Sequence, residues 1–145
     1  MARGIGEKEG QYNQNDIVEA YTAHFFDISN EKTARKLFRY ISQYTDNEWS
    51  FLGDDKGCHL STSNMSWTDV YGGIEATQSG ESGKLSFFFH SHPRNEANGM
   101  YVNDTDQAMR NKCLEKSPNA VIGVMHRGTL YDFQTFKIRW DGTKL

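Results

Sequence analysis

The stretch "KLSFFFHSHP", residues 84–93, decides how the rest of the chain must be arranged. Successive side chains of a strand point to opposite faces, so Leu85, Phe87 and Phe89 line one face and Ser86, Phe88, His90 and His92 the other. Bulky apolar groups on both faces call for cover on both, which is the position of a central strand. Pro93 has no N–H to give to a ladder and ends the run. The strand therefore closes with two imidazoles on one side, about 7 Å apart at the backbone.

Upstream, "EWSFLG" at 48–53 reads as a short apolar strand closed by Gly53, followed by the turn "DDKG" and a second strand "CHLSTS". The pair predicts a hairpin. Before it, Ala34, Leu37, Phe38, Ile41 and Tyr44 recur at helical spacing, with Ser29 or Asn30 as the N-cap. "YTDN" stops that helix, because Thr, Asp and Asn side chains compete for local backbone groups. The segment "DIVEAYTAHFF", 16–26, fits helix and strand equally. Residues 1–15, "MARGIGEKEGQYNQN", are polar and glycine-rich, and read as a flexible N-terminal linker to a domain spanning 16–145.

Between the hairpin and the central strand, residues 64–83 contain "GG" and "SGESG" and read as a long, mobile loop. Downstream, a helix is expected from about Asn103 to Lys116, with Ala108, Met109, Cys113 and Leu114 as its apolar side and "SPN" as its break. The tail "AVIGVMHRGTLYDFQTFKIRW" gives two or three strands around the turn "HRG". The fold class is α+β, a single domain with a mixed β-sheet flanked by helices.

At 145 residues the chain can close one hydrophobic core, and 24% charged with 13% aromatic residues suits a globular domain. A net charge of −3, with no basic run, points away from nucleic acid as a partner. No apolar run approaches the ~20 residues a membrane helix needs, and no signal peptide opens the chain as given. Cys58 and Cys113 are too few for a disulfide framework and read as inert buried thiols. Trp49, Trp67 and Trp140 read as core, and His24, His59 and His126 as ordinary polar or packing residues.

Two imidazoles at i and i+2 can grip one ion at the usual zinc–nitrogen distance of roughly 2.0–2.1 Å. Asp106 falls in the first turn of the helix that Asn103 would cap, where backbone amides favour an ionised carboxylate. Two His and one carboxylate leave a fourth tetrahedral position open, the arrangement of a catalytic zinc. A one-residue shift would put Asp104 in the place of Asp106. An HxH pair also arises by chance on strands, so the residues alone leave a metal site and an ordinary strand end both open.

The array resembles the JAMM motif of the MPN/JAB metalloprotease superfamily: a Glu on an upstream strand, then H-[S/T]-H-P, then S-x-x-D. "NEWSFLG" resembles the strand that carries the glutamate, at Glu48. "HSHP" matches at His90, Ser91, His92 and Pro93, and "NDTD" stands in the S-x-x-D place with Asp106 as third ligand. The stretches around "TDNEW" and "LSTS" are similar to JAB-like toxin domains at the C-termini of bacterial Rhs-type polymorphic toxins. The loop from His92 to the aspartate is longer than the usual pattern. Asn103 replaces the serine that helps stabilise the oxyanion, and its amide can donate a hydrogen bond to the same place.

The resemblance implies an MPN/JAB-like, cytidine-deaminase-like architecture holding Zn2+ through His90, His92 and Asp106. It implies a zinc-dependent peptidase or isopeptidase, with Glu48 as general base toward a metal-held water and Asn103 completing the oxyanion site. Ser91 points away from the histidines and takes a structural role. Arg94, Glu96 and Met100 lie on the loop beside the site, within reach of a substrate. The substrate would be a protein or peptide, with ubiquitin-like chains and cell-wall peptides as candidates, and an immunity protein would be the partner. Such a module would be delivered to a target cell within a larger secreted protein, or else work in the cytoplasm. The alternatives are a catalytically silent MPN-type interaction domain and a metal hydrolase acting on another class of bond.

Overall fold

A computed structural model describes residues 2–14, 17–63, 70–92, 104–132 and 138–140. Eleven elements follow one another: β1 (Ala2–Gln14), β2 (Ile17–Ile28), α1 (Glu31–Tyr44), β3 (Ser50–Asp54), β4 (Gly57–Thr62), α2 (Val70–Glu81), β5 (Phe87–Ser91), α3 (Asp104–Lys116), β6 (Val121–His126), β7 (Thr129–Asp132) and β8 (Ile138–Trp140). The strands make one eight-stranded sheet in the order β1-β2-β4-β3-β5-β6-β7-β8. All neighbours are antiparallel except β5 and β6. That parallel pair requires a crossover, which α3 provides.

β5 is central, between β3 and β6, and every one of its residues is buried. Phe87 and Phe89 join the core under α1, with Ala34, Phe38, Phe51, Leu60 and Met125. Phe88 joins the opposite core, with Ala76 of α2, Cys113 of α3, Leu52, Ile122 and Val124. The alternation expected of this strand therefore holds, with helices covering both faces. Leu85 is the exception: it precedes β5 and packs with Phe88 rather than with Phe87 and Phe89.

α1 begins where expected, with the Asn30 side chain accepting the Thr33 N–H at 3.0 Å as N-cap. Its buried residues are Ala34, Phe38 and Ser42, whereas Leu37 and Tyr44 of the expected apolar face stay exposed. The β3–β4 hairpin forms as read, and so does the β6–β7 turn, where Arg127 and Gly128 both take positive φ. In α3, Met109, Cys113 and Leu114 face the core while Ala108 is exposed. Cys58 and Cys113 are buried and not joined in a disulfide, and burial pushes the Cys113 thiol up to about 11.

Two readings are corrected, and glycine is the reason for both. Ala2–Gln14 form no linker: they pair with β2 along its length, and β2 resolves as strand. Gly6 stands opposite Phe25 and Gly10 opposite Tyr21, and a Cβ on either glycine would lie 2.4 Å from the facing side chain. The glycines are the floor on which two aromatic rings lie. The Phe25 ring also stacks on Tyr71 of α2 at 5.6 Å.

Residues 70–81, expected within a mobile loop, form α2. Gly72, Ala76 and Gly80 recur every fourth residue and are buried. At Gly80 a Cβ would come within 2.8 Å of the Cys113 backbone, so the bare glycine lets α2 and α3 touch. The helix ends in a Schellman motif: Gly83 has φ +75, its N–H donates to Gly80 O, and the Lys84 N–H donates to Ser79 O.

A polar chain fastens α2 to the sheet. His59 on β4 donates from Nδ1 to Asp27 of β2 at 2.6 Å and from Nε2 to Asp54 of β3 at 3.1 Å. The Ser79 hydroxyl of α2 donates to the other oxygen of Asp54 at 3.0 Å. Burial works against the charge on His59, but the hydrogen bonds to Asp27 and Asp54 outweigh it and hold the imidazole above its usual 6.5. Burial would likewise raise Asp54, yet bonds from His59, the Lys56 N–H and Ser79 keep it below its usual 3.8.

A raised histidine stabilises the fold fully below 6.5 and stops doing so as pH climbs through its folded value; a lowered aspartate contributes above 3.8 and is lost as pH falls through its own. The stability gap between wild type and His59→Gln should therefore be widest near pH 5, roughly 3–8 °C in melting temperature, and close toward alkaline pH. A gap that does not vary with pH counts against the charged chain. Gly80→Ala should lower stability by about 1–3 kcal/mol in chemical denaturation, although Ala is the better helix former by ~1 kcal/mol.

Candidate metal centre

The site assembles where β5 runs out. The β3–β5 ladder ends at the pair Ser50–His90, and continuing the same register places Trp49 against Ser91 and Glu48 against His92. Glu48, Ser50, His90 and His92 thus share one face by strand alternation. The Ser91 N–H donates to Trp49 O at 2.8 Å, and the His92 N–H donates to Met125 O of β6 at 2.9 Å. The second histidine is thereby held although β5 itself stops at Ser91.

Both imidazoles are buried, and their Nε2 atoms lie 3.1 Å apart. Two nitrogens on one tetrahedral zinc at 2.0–2.1 Å stand ~3.3 Å from each other, so the observed separation suits a shared ion. Burial, and then the neighbouring His92, keep the His90 imidazole well below 6.5. The ring is neutral at physiological pH, the form that offers a lone pair to a metal. The His90 ring also stacks against Phe88 at 6.0 Å.

Ligand atoms of Glu48, His90 and His92 all lie within 4.8 Å of one another, making them a group that could hold a metal. Glu48 is half-buried, and its main-chain carbonyl accepts the Thr62 hydroxyl of β4 at 2.8 Å. Of the expected site residues the structure therefore brings together Glu48, His90 and His92. Asp106 sits in the first turn of α3 as read, but its side chain lies outside the described residues. Asn103 and the loop residues Arg94, Glu96 and Met100 lie outside them too, as does Trp67.

The other expectations divide. Trp49 packs against the core beneath α1 and stacks on Phe26 at 6.3 Å. His24 is a half-buried partner of the exposed Glu7 at 3.3 Å, and His126 is buried in β6. His59 is more than an ordinary polar residue, because two carboxylates bracket it. Ser91 reads from the sequence as a structural residue, whereas nothing local there marks the Thr62 hydroxyl. Strand alternation at least signals that Ser91, fixed between two histidines yet aimed away from them, serves something else.

A mixed sheet with helices on both faces, carrying a Glu/His/His group at the end of its central strand, defines an α/β domain with a candidate metal site. The family model for JAB-like toxin 1 matches residues 26–112, more than half of the chain, and the chain belongs to that family. No curated protein and no solved structure matches. Among the described residues no helix is long and apolar enough to cross a membrane.

His90→Ala and His92→Ala should each weaken Zn2+ binding by at least ~100-fold in calorimetric titration, since each removes one of few donors. Unchanged affinity in either variant places the ion elsewhere.

Proposed function

We propose that this domain is a metal-dependent peptidase or isopeptidase, with zinc as the metal, acting as the toxic module of a larger secreted protein of the Rhs type. The observation that carries the reading is the convergence of Glu48, His90 and His92 within 4.8 Å at a buried strand end. Membership of the JAB-like toxin family supports it. His90 and His92 would hold the ion through their Nε2 atoms, with Asp106 as third donor. A bound zinc supplies Lewis acidity at a scissile carbonyl and brings the pKa of water toward ~7.

The chain's own residues do the rest. The Glu48 carboxylate accepts a proton from the attacking water as the new C–O bond forms, and passes it to the amine nitrogen as the C–N bond breaks. The Asn103 amide donates a hydrogen bond to the carbonyl oxygen while negative charge develops there. Placement on a strand end wedged between two neighbours keeps Glu48 and the imidazoles within reach of one reacting atom, which is the positional part of the rate. The substrate is a protein or peptide, with ubiquitin-like chains and crosslinked cell-wall peptides the first to try, and an immunity protein is the partner. A silent binding domain needs no two buried imidazoles aimed at one point.

Glu48→Gln should keep Zn2+ bound while kcat on isopeptide-linked ubiquitin chains or crosslinked muropeptides drops by about 10²–10⁴-fold, the range a general base supplies. His92→Ala should lose metal and activity together. Full activity in Glu48→Gln removes Glu48 from the mechanism.

A further inference from the structure

Glu48 lies two residues before β3 begins, outside the ladder, yet it must meet two histidines held on β5. We propose that the Ser91 and Thr62 hydroxyls are positioning residues for Glu48, clamping its short segment from both sides. The inference rests on the peptidase reading above for its catalytic meaning.

Across a regular antiparallel pair, Trp49 would give its N–H to the Ser91 carbonyl in return for the Ser91 N–H. Only half of that exchange is seen. The Ser91 N–H donates to Trp49 O at 2.8 Å, but the Trp49 N–H donates to Ser91 Oγ at 2.9 Å. A side chain has taken the place of a main-chain acceptor. From the other flank, the Thr62 hydroxyl donates to Glu48 O at 2.8 Å. The one peptide group that joins Glu48 to Trp49 is thus tied at its N–H to β5 and at its carbonyl to β4, and no bond of the clamp uses the carboxylate.

Ser91 is fully buried and Thr62 nearly so, which shields both bonds from competing water. Ser91 also has the right address: it sits between the two imidazoles in sequence, so the same strand end that presents the histidines grips the segment that presents the glutamate. Ser91 thus joins the two halves of the site twice, through its main-chain N–H and through its hydroxyl. Loss of that hydroxyl leaves both imidazoles on their own supports, His92 on Met125 O and His90 in the β3–β5 ladder.

The test uses the full chain, Zn2+ alone as metal probe, and hydrolysis of isopeptide-linked ubiquitin chains and crosslinked muropeptides. In Ser91→Ala, kcat should fall about 10–100-fold while KM stays within about threefold, because a misplaced base costs the transition state and not substrate binding. Zn2+ affinity should stay within about threefold, since neither histidine loses its support. Amide exchange at the Trp49 N–H, read by NMR, should speed up by at least about tenfold. Ser91→Thr keeps a hydroxyl and should restore both kcat and exchange. Thr62→Val should lower kcat in the same way.

Parallel loss of zinc and kcat in Ser91→Ala overturns the proposal, because the hydroxyl then serves the ligands. Unchanged kcat with unchanged Trp49 exchange overturns it too. Should Ser91→Ala fail to fold, Thr62→Val decides: full kcat there overturns the clamp. A wild type that binds Zn2+ but cleaves neither probe defeats the peptidase reading on these substrates and not the clamp. The Trp49 exchange rate and the place of Glu48 in a zinc-soaked Ser91→Ala crystal then decide, an unmoved Glu48 overturning it.

Discussion

The structure depends on covering β5. A strand of three phenylalanines followed by histidine and serine, buried throughout, cannot sit at an edge or lie on a single layer. It needs a strand on each side and a helix over each face, and β3, β6, α1, α2 and α3 meet those needs. The same burial that makes β5 central removes water from around His90 and sets its imidazole neutral. Core packing and the chemistry of the candidate metal site are thus one constraint. The rings that fill the core fix the strand, and the strand fixes the donors.

Support for the site is shared unequally among its members. His90 lies inside the ladder, His92 leans on β6 through its main chain, and the segment of Glu48, outside the ladder, is met by two side-chain hydroxyls and one main-chain bond. Glu48 is accordingly the member whose placement is most open to single substitutions. Farther along the same face, His59 and its two aspartates tie α2 to the hairpin that carries β3 and β4. Acid–base chemistry therefore enters the fold at a second place, where it serves cohesion.

What could be read from the sequence followed from residues whose meaning is local. Phe87 to Phe89 announced a strand covered on both faces, Asn30 a helix start, "DDKG" a hairpin, and His90 with His92 a shared direction. Glu48 became visible only through the family resemblance, since nothing local distinguishes it from any glutamate ahead of a strand. The errors came from glycine. In β1 and α2 it marks places where another residue occupies the missing side chain's room: Phe25, Tyr21 and Cys113. That information resides in the partner, up to tens of residues away, and neither composition nor periodicity contains it. His59 was misjudged for the same reason, because Asp27 comes from a strand far back in the chain. Cα spacing along a strand says which way a side chain points and nothing about what waits there.

The segment matched by the family model stops at residue 112, inside α3, whereas β6 begins at Val121. A fragment trimmed to that segment would therefore present the flank of the triple-phenylalanine strand bare, with its row of amides and carbonyls unanswered. Such an edge recruits copies of itself. Anyone preparing that trimmed piece should expect insoluble material unless β6 and β7 travel with it.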